Sequence, residues 1–504
     1  MLKIIDKFKE NFKWQAITII ALTTVAYGFL INNMNLWLDE IYSVLMAKDS
    51  LKDIFETLFA EDTNLPLYYI YLKTVLSFSP KAYEVAAAHL GSALLLVVAQ
   101  IFAATAVRRD YGEKTALWLM ILIALLPQSL WLGLEVRAYM LSSLLLLTAS
   151  VYGARLTDKP QNTDFVKFGI VSILALYSHY YCALYLMFLY GLIFVLLIKE
   201  KKLKTNGVKL VLTTISVALI FAPWLIVFSN AVNSVGHIWY VHDDFVRFSW
   251  QFFTNPLQPE IIQSVYFIAT TLSASVFSFL LILGLVNMLK FEAKSKKIII
   301  LTMGCFCLTY ALLFFLSATI RPMVTARYLK IFSMPLYLGG AIVIAKYKDI
   351  SKAVLPILLL GFYFTYTDVR IISFDKGYQN AIHDIKQFIS TDKPLLVTDN
   401  SNLFCEYFLP EYNCLLLASD DGEILRKKSQ LTAYKKIHQI PKEAVFSISI
   451  YGSADTADQC SEYKSDYRFG QNIKLCRFDK PDVVENLLHK SYANIRKRIH
   501  QLDY

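Results

Sequence analysis

Residues Val85–Val107 read VAAAHLGSALLLVVAQIFAATAV, 23 positions without an Asp, Glu, Lys or Arg. A run of about 20 apolar residues is what an α-helix needs to cross a bilayer. The pattern recurs at Trp14–Ile31 and Thr115–Leu134. Composition points the same way, with 56% hydrophobic and 18% charged residues, against about 45–50% and about 25% in soluble domains. The chain therefore reads as a polytopic α-helical membrane protein. A water-soluble enzyme and a disordered scaffold are excluded, and so is an outer-membrane barrel, whose strands alternate polar and apolar positions.

Working outward, eleven spans fit the 504 residues: 14–33, 84–107, 114–132, 134–153, 165–180, 182–198, 208–228, 263–289, 298–318, 328–345 and 353–370. The fifth and sixth are short and share a tight turn. With the N-terminus cytoplasmic, the inner segments hold 22 Lys and Arg and the outer ones before residue 371 hold 9, counting Arg137 and Lys330 at the outer ends of spans four and ten. That is the positive-inside bias. It accounts for the net charge of +10 without a nucleic-acid partner. No small-residue cleavage site follows the first run, which is read as a retained helix.

The odd number of spans divides the chain into a membrane domain, 1–370, and an external α/β soluble domain, 371–504. It also places the acidic first loop, 34–83, outside, with helical stretches at Glu40–Ala47 and Leu51–Phe59. In the tail, Tyr378–Ile389 has helical spacing, and Pro394–Thr398, Leu415–Ala418, Val445–Tyr451 and Ile473–Phe478 read as strands. A final helix, Val483–Leu502, carries Lys490, Arg496, Lys497 and Arg498, either facing anionic headgroups or simply solvated.

Cys182, Cys305 and Cys307 fall in spans and read as small hydrophobes. Cys405, Cys414, Cys460 and Cys476 share the external domain, which suggests two disulfides among three connectivities, neighbour with neighbour being the simplest. No Asn-x-Ser/Thr sequon occurs. The location read from these features is a bacterial inner (plasma) membrane, with the tail periplasmic or extracellular.

Chemistry is concentrated at the external ends of spans. Leu36-Trp37-Leu38-Asp39-Glu40 follows span one, and two carboxylates there are costly unless bonded or used. An Asp can take a proton from an attacking hydroxyl; it can equally cap a helix. Pro66 in Leu65-Pro66-Leu67-Tyr68-Tyr69 reads as a helix start. Glu135-Val136-Arg137-Ala138-Tyr139 precedes span four, His179-Tyr180-Tyr181 lies between spans five and six, and Arg321 and Arg327-Tyr328 lead into span ten. External arginines run against the charge bias, and their planar fork suits phosphate oxygens. Snorkelling to headgroups is the plainer role for each arginine, and packing or capping for His179.

In their order and sidedness these elements resemble the GT-C glycosyltransferases, in the branch of the protein O-mannosyltransferases and the lipid A aminoarabinose transferase. The resemblance covers 1–370 in layout. It implies a polyprenyl-phosphate sugar donor and an acceptor hydroxyl (on lipid A, protein, glycan or another polymer) at the outer face. It maps the catalytic carboxylate onto Asp39, with Glu40 beside it. Arg137, Tyr139, Arg327 and Tyr328 would bind the donor phosphate, and His179, Tyr68 and Arg321 other parts of the substrate. The family often has His-Pro-Pro or a basic residue where this chain has Thr63-Asn64-Leu65-Pro66, so donor choice and a divalent metal are left open. The alternatives are a lipid-linked glycan polymerase or ligase, and a flippase or transporter. A transporter would place charge at the bilayer midplane and show internal repeats.

Overall fold

The computed structural model describes residues 11–60, 64–158, 160–234, 275–276, 278–320, 324, 326–373, 377–391, 395–398, 401–417, 433–434, 446–449, 459–463 and 473–477. The expected helix Val483–Leu502, Arg321 and the first part of the span at 263–289 lie outside these residues.

The first helices in chain order are α1 (Phe12–Ile31), α2 (Leu38–Lys48), α3 (Leu51–Ala60), α4 (Pro66–Ser77), α5 (Glu84–Phe102), α6 (Glu113–Leu125), α7 (Pro127–Leu132), α8 (Tyr139–Leu156), α9 (Asn162–Leu176) and α10 (Tyr181–Lys199). They are followed by α11 (Val208–Ser234), α12 (Ala293–Ile299), α13 (Cys305–Thr319), α14 (Ala326–Leu329), α15 (Ser333–Lys346), α16 (Lys348–Ser373), α17 (Gly377–Phe388) and α18 (Ser401–Phe408). The strands are β1 (Leu395–Thr398), β2 (Cys414–Leu417), β3 (Ala433–Tyr434), β4 (Phe446–Ser449), β5 (Gln459–Tyr463) and β6 (Ile473–Arg477).

Among the described residues, seven helices are long and apolar enough to cross a membrane. The eleven read from sequence are not all continuous helices of that length. The stretch at 114–132 is broken between α6 and α7, because Pro127 offers no N–H to the helix and pushes Leu126 into an extended conformation. The stretches at 165–180 and 328–345 are realised as α9, with 15 residues, and α15, with 14. This is a multi-pass membrane protein.

The chain forms two compact units: Met1–Met34 with Thr63–Arg370, and Asn35–Asp62 with Ile371–Tyr504. In the first unit α8 is the central helix, 78% of its span being buried. Helix α1 leaves Trp14, Ile17, Leu22, Val25 and Phe29 exposed, the apolar outer face that lipid requires. At the Leu156 end of α8, Arg155 pairs with Asp110 at 2.6 Å, and Lys297 pairs with Glu200 at 2.6 Å and Asp158 at 3.3 Å. Lys202 donates to Glu200 and to the Thr157 carbonyl. Burial alone would raise the Glu200 pKa, but the bonds from Lys202 and Lys297 outweigh it and hold this carboxyl below the usual range.

The second unit contains a six-stranded sheet ordered β3-β2-β1-β4-β6-β5. Strands β1, β2, β3 and β4 run parallel, while β6 is antiparallel to both β4 and β5. The strands expected at 394–398, 415–418, 445–451 and 473–478 overlap β1, β2, β4 and β6; β3 and β5 are additional. Helix α18 makes the crossover between the parallel strands β1 and β2 that such a pair requires. A disulfide joins Cys405, on α18, to Cys414, which opens β2.

The unit boundary differs in one respect from a division at residue 370. Residues 35–62 belong with the tail, since α2 packs on α18; Ile41 and Val44 on the one helix and Leu403 and Phe404 on the other are buried, and Lys48 lies 5.6 Å from the Tyr407 ring centroid.

Candidate active site

In the first unit, three turns bring chemistry-bearing residues together. The first joins α7 to α8. Gly133 is required there: a Cβ at this position would lie 2.5 Å from Tyr27 Cε1 and 2.8 Å from Leu96 Cδ1. Two buried side chains one turn apart on α5 then hold the loop. His89 Nδ1 donates to the Leu134 carbonyl and Ser92 Oγ to the Glu135 carbonyl, both at 2.6 Å. The Arg137 N–H donates back to the Glu135 carbonyl at 2.8 Å, which tightens the turn.

The Glu135 carboxylate lies 3.6 Å from Lys330 Nζ, with each side chain 6% exposed. Lys330 opens a short 3₁₀ turn directly after α14. A pair this deeply buried has lost most of its hydration and is weak evidence for stability. Its geometric effect is to tie the α7–α8 turn to the segment that carries Tyr328.

The remaining turn joins α9 to α10. The Leu67 N–H donates to the Tyr177 carbonyl at 3.2 Å, and Ser142 and Ser178 share a hydrogen bond at 2.9 Å. These contacts seat the start of α4 and the flank of α8 against the turn. His179 Nδ1 accepts the Tyr181 N–H at 3.1 Å. The His179 ring centroid lies 5.8 Å from that of Tyr139, 5.4 Å from Tyr181 and 5.2 Å from Tyr328. Tyr328 also meets Tyr139 at 6.1 Å and Tyr181 at 5.3 Å, all tilted or edge-on as ring quadrupoles prefer. Burial in this cluster, aided by the positive charge of Arg137, pushes the His179 pKa down to about 3. Its imidazole is neutral at physiological pH.

Of the residues singled out in sequence, the fold thus brings Tyr139, His179 and Tyr328 into ring contact, with Arg137 close enough for its charge to act on His179. Arg137 Nη2 also reaches Asn64 Oδ1 at 3.5 Å. Tyr68 is buried on α4 beside Tyr69 and Tyr71. Arg327 sits on α14 one position before Tyr328, and its side chain, like Arg321, lies outside the described residues.

The carboxylate pair belongs to the second unit. The N-cap of α2 is Trp37, and Glu40 Oε2, three positions on, accepts the Trp37 N–H at 3.2 Å. The backbone-capping contact expected as the plainer role of Asp39 is therefore made by Glu40, which is fully buried, while Asp39 is half-buried. Among the described residues, no group of three or more His, Cys, Asp or Glu is placed to hold a metal ion.

His89, Ser92 and Lys330 were not singled out in the sequence. Lys330 carried a usable signal, a lysine where the charge bias disfavours one. His89 and Ser92 sit inside an apolar run and offered none. The assembled set supplies a guanidinium, a neutral imidazole and several phenols. These groups suit the binding of an anionic, hydroxyl-rich ligand better than proton shuttling.

No protein-family model matches the sequence, and no curated protein matches it. Solved structures do. ArnT from Cupriavidus metallidurans in the apo state superposes with a TM-score of 0.57 at 10% identity, covering 91% of this chain and 97% of that one. The same protein bound to undecaprenyl phosphate gives 0.56 at 12% identity, covering 92% and 98%. The Archaeoglobus fulgidus oligosaccharyltransferase aligns at a TM-score of 0.47 and 13% identity, covering 86% and 68%. At such identity the likeness to ArnT speaks for architecture alone: this chain shares the membrane fold of ArnT.

Proposed function

We propose that the chain is a membrane glycosyltransferase that moves a sugar from a polyprenyl-phosphate donor to an acceptor hydroxyl at the external face of a bacterial inner membrane, with eleven spans and an external α/β domain. The observation that carries this reading is the fold shared with nearly the whole length of ArnT, a protein solved with undecaprenyl phosphate bound.

The roles follow from residue chemistry. Asp39 takes the proton of the acceptor hydroxyl as its oxygen attacks the anomeric carbon. The bond from that carbon to the phosphate oxygen breaks, and the polyprenyl phosphate leaves with the electron pair. Arg137 and Arg327 offset the charge that develops on it, and Tyr139 and Tyr328 donate to its oxygens. Glu40 holds the start of α2 and thereby the orientation of Asp39. His179 and Tyr68 contribute to substrate binding.

The test is transfer from a labelled polyprenyl-phosphate sugar by the purified chain in detergent, with no nucleotide sugar present. Labelled product is expected. A chain that instead moves intact lipid-linked sugar across proteoliposomes, without transfer, would be a flippase and would overturn the reading.

A further inference from the structure

The observation is the hydrogen-bond assignment at His179. Nδ1 lies 3.1 Å from the Tyr181 backbone N–H. An amide N–H can only donate, so Nδ1 must be the acceptor. In a neutral imidazole the single proton then belongs to Nε2. Among the described residues, none accepts a hydrogen bond from that Nε2–H. The ring is held on three sides by Tyr139, Tyr181 and Tyr328, which fixes its plane. Arg137, the nearby cation, together with burial, opposes a second proton.

We infer that His179, locked as the Nε2–H tautomer, is a neutral hydrogen-bond donor to a phosphate oxygen of a lipid phosphomonoester, acting beside Arg137. This rests on the proposed function and deepens it by assigning the ring a donor role in place of proton transfer. Arg137 brings charge; the imidazole adds a directional bond without a second cation to be desolvated in the empty state. Among the described residues, the titratable or charged groups around the ring are Arg137, Tyr139, Tyr181 and Tyr328.

Two amide variants separate this role from a purely structural one. In His179→Asn the amide sits near the Nδ1 position and can accept the Tyr181 N–H, but it does not reach to Nε2. In His179→Gln the amide N–H reaches the Nε2 position. Binding of sugar-free polyprenyl phosphate to the full-length purified chain in detergent is the readout, with phosphatidylglycerol as a second anionic lipid. His179→Asn should weaken polyprenyl phosphate binding by about tenfold or more, the usual scale for a hydrogen bond to a charged group. His179→Gln should restore most of it, and phosphatidylglycerol binding should change in neither.

If Asn restores binding and Gln does not, the ring is a structural brace and the inference fails. Equal losses for both lipids would mean a general anionic-headgroup contact, which also overturns it. Nitrogen-15 spectra of His179 give a measurement independent of turnover: a protonated Nδ1, or a charged ring at neutral pH, rules the tautomer out. Absence of sugar transfer by wild type alongside intact phosphate discrimination would count against the proposed function alone.

Discussion

Helix α8 ends in two different chemistries. At Leu156, charge answers charge: Arg155 pairs with Asp110, and Lys297 and Lys202 pair with Glu200, Lys297 also with Asp158. At Tyr139 the neighbours are phenol rings, a neutral histidine and Arg137, with one buried Glu135–Lys330 pair behind them. Paired charges largely offset one another without a ligand. A cation beside aromatic rings and a neutral donor gains most when an anion arrives. Under the proposed function one end has a structural task and the other a binding task, and the variants at Arg137, Lys297 and His179 test that division.

The largest effect is expected at Asp39, which belongs to the second unit. Asp39→Asn keeps size and polarity but removes the base, so turnover should fall by about 10²–10⁴-fold while the melting temperature stays near wild type. Near-normal turnover in a folded preparation would remove the base from the mechanism. Arg137→Ala, at the Tyr139 end, should cut the use of the polyprenyl-phosphate donor by about 10–100-fold, the loss of a charge-assisted contact. A fall in stability with donor affinity intact would place Arg137 on the structural side of the comparison.

At the other end the expectation inverts. Lys297→Met leaves Glu200 and Asp158 without this cation, and stability should fall by about 1–3 kcal/mol, below the range for fully buried pairs because both partners are partly solvated. Donor affinity should be unchanged. The Glu200 pKa is lowered in the folded chain, so its contribution is present above the unfolded carboxyl value and is lost as pH falls through the folded one. Acid melts of Lys297→Met should therefore be flatter than those of wild type.

His179 gives a finer test with its own sign. Its folded pKa, about 3, lies below the unfolded value of about 6.5. Below that unfolded value the unfolded chain binds a proton that the folded chain refuses, so stability drops as pH falls toward the folded pKa. Wild type should lose melting temperature on acidification faster than His179→Gln, and neither should show a histidine ionisation in its rate profile between pH 6 and 8. The smallest expected effect lies outside this pair of regions. Cys460 and Cys476 are register partners on β5 and β6, and non-reducing mass spectrometry should find them bridged, as Cys405 and Cys414 are. Free thiols at both positions in protein from an oxidising compartment would refute this.

Features that rest on solvent and on neighbours along the chain are legible in the amino-acid order alone. Long apolar runs demand lipid or burial, which made Phe12–Ile31, Tyr181–Lys199 and the other spans legible without coordinates. Pro66 marked the start of α4 because proline suits the first helical turn. The motifs around Asp39, Arg137, His179 and Tyr328 were visible as residue types that a membrane-bound chain keeps at some cost. Features that emerge only on folding depend on partners distant in sequence. Nothing in the run around His89 and Ser92 announced that they hold the carbonyls of residues 134 and 135, or that Lys330 pairs with Glu135. Capping by Glu40, not Asp39, turned on where α2 begins, and the N-cap Trp37 carries no capping side chain to signal it. The state of His179 was beyond sequence for the same reason: a tautomer and a pKa are set by the Tyr181 amide, three rings and a guanidinium, and only folding brings Tyr139, Tyr328 and Arg137 to it.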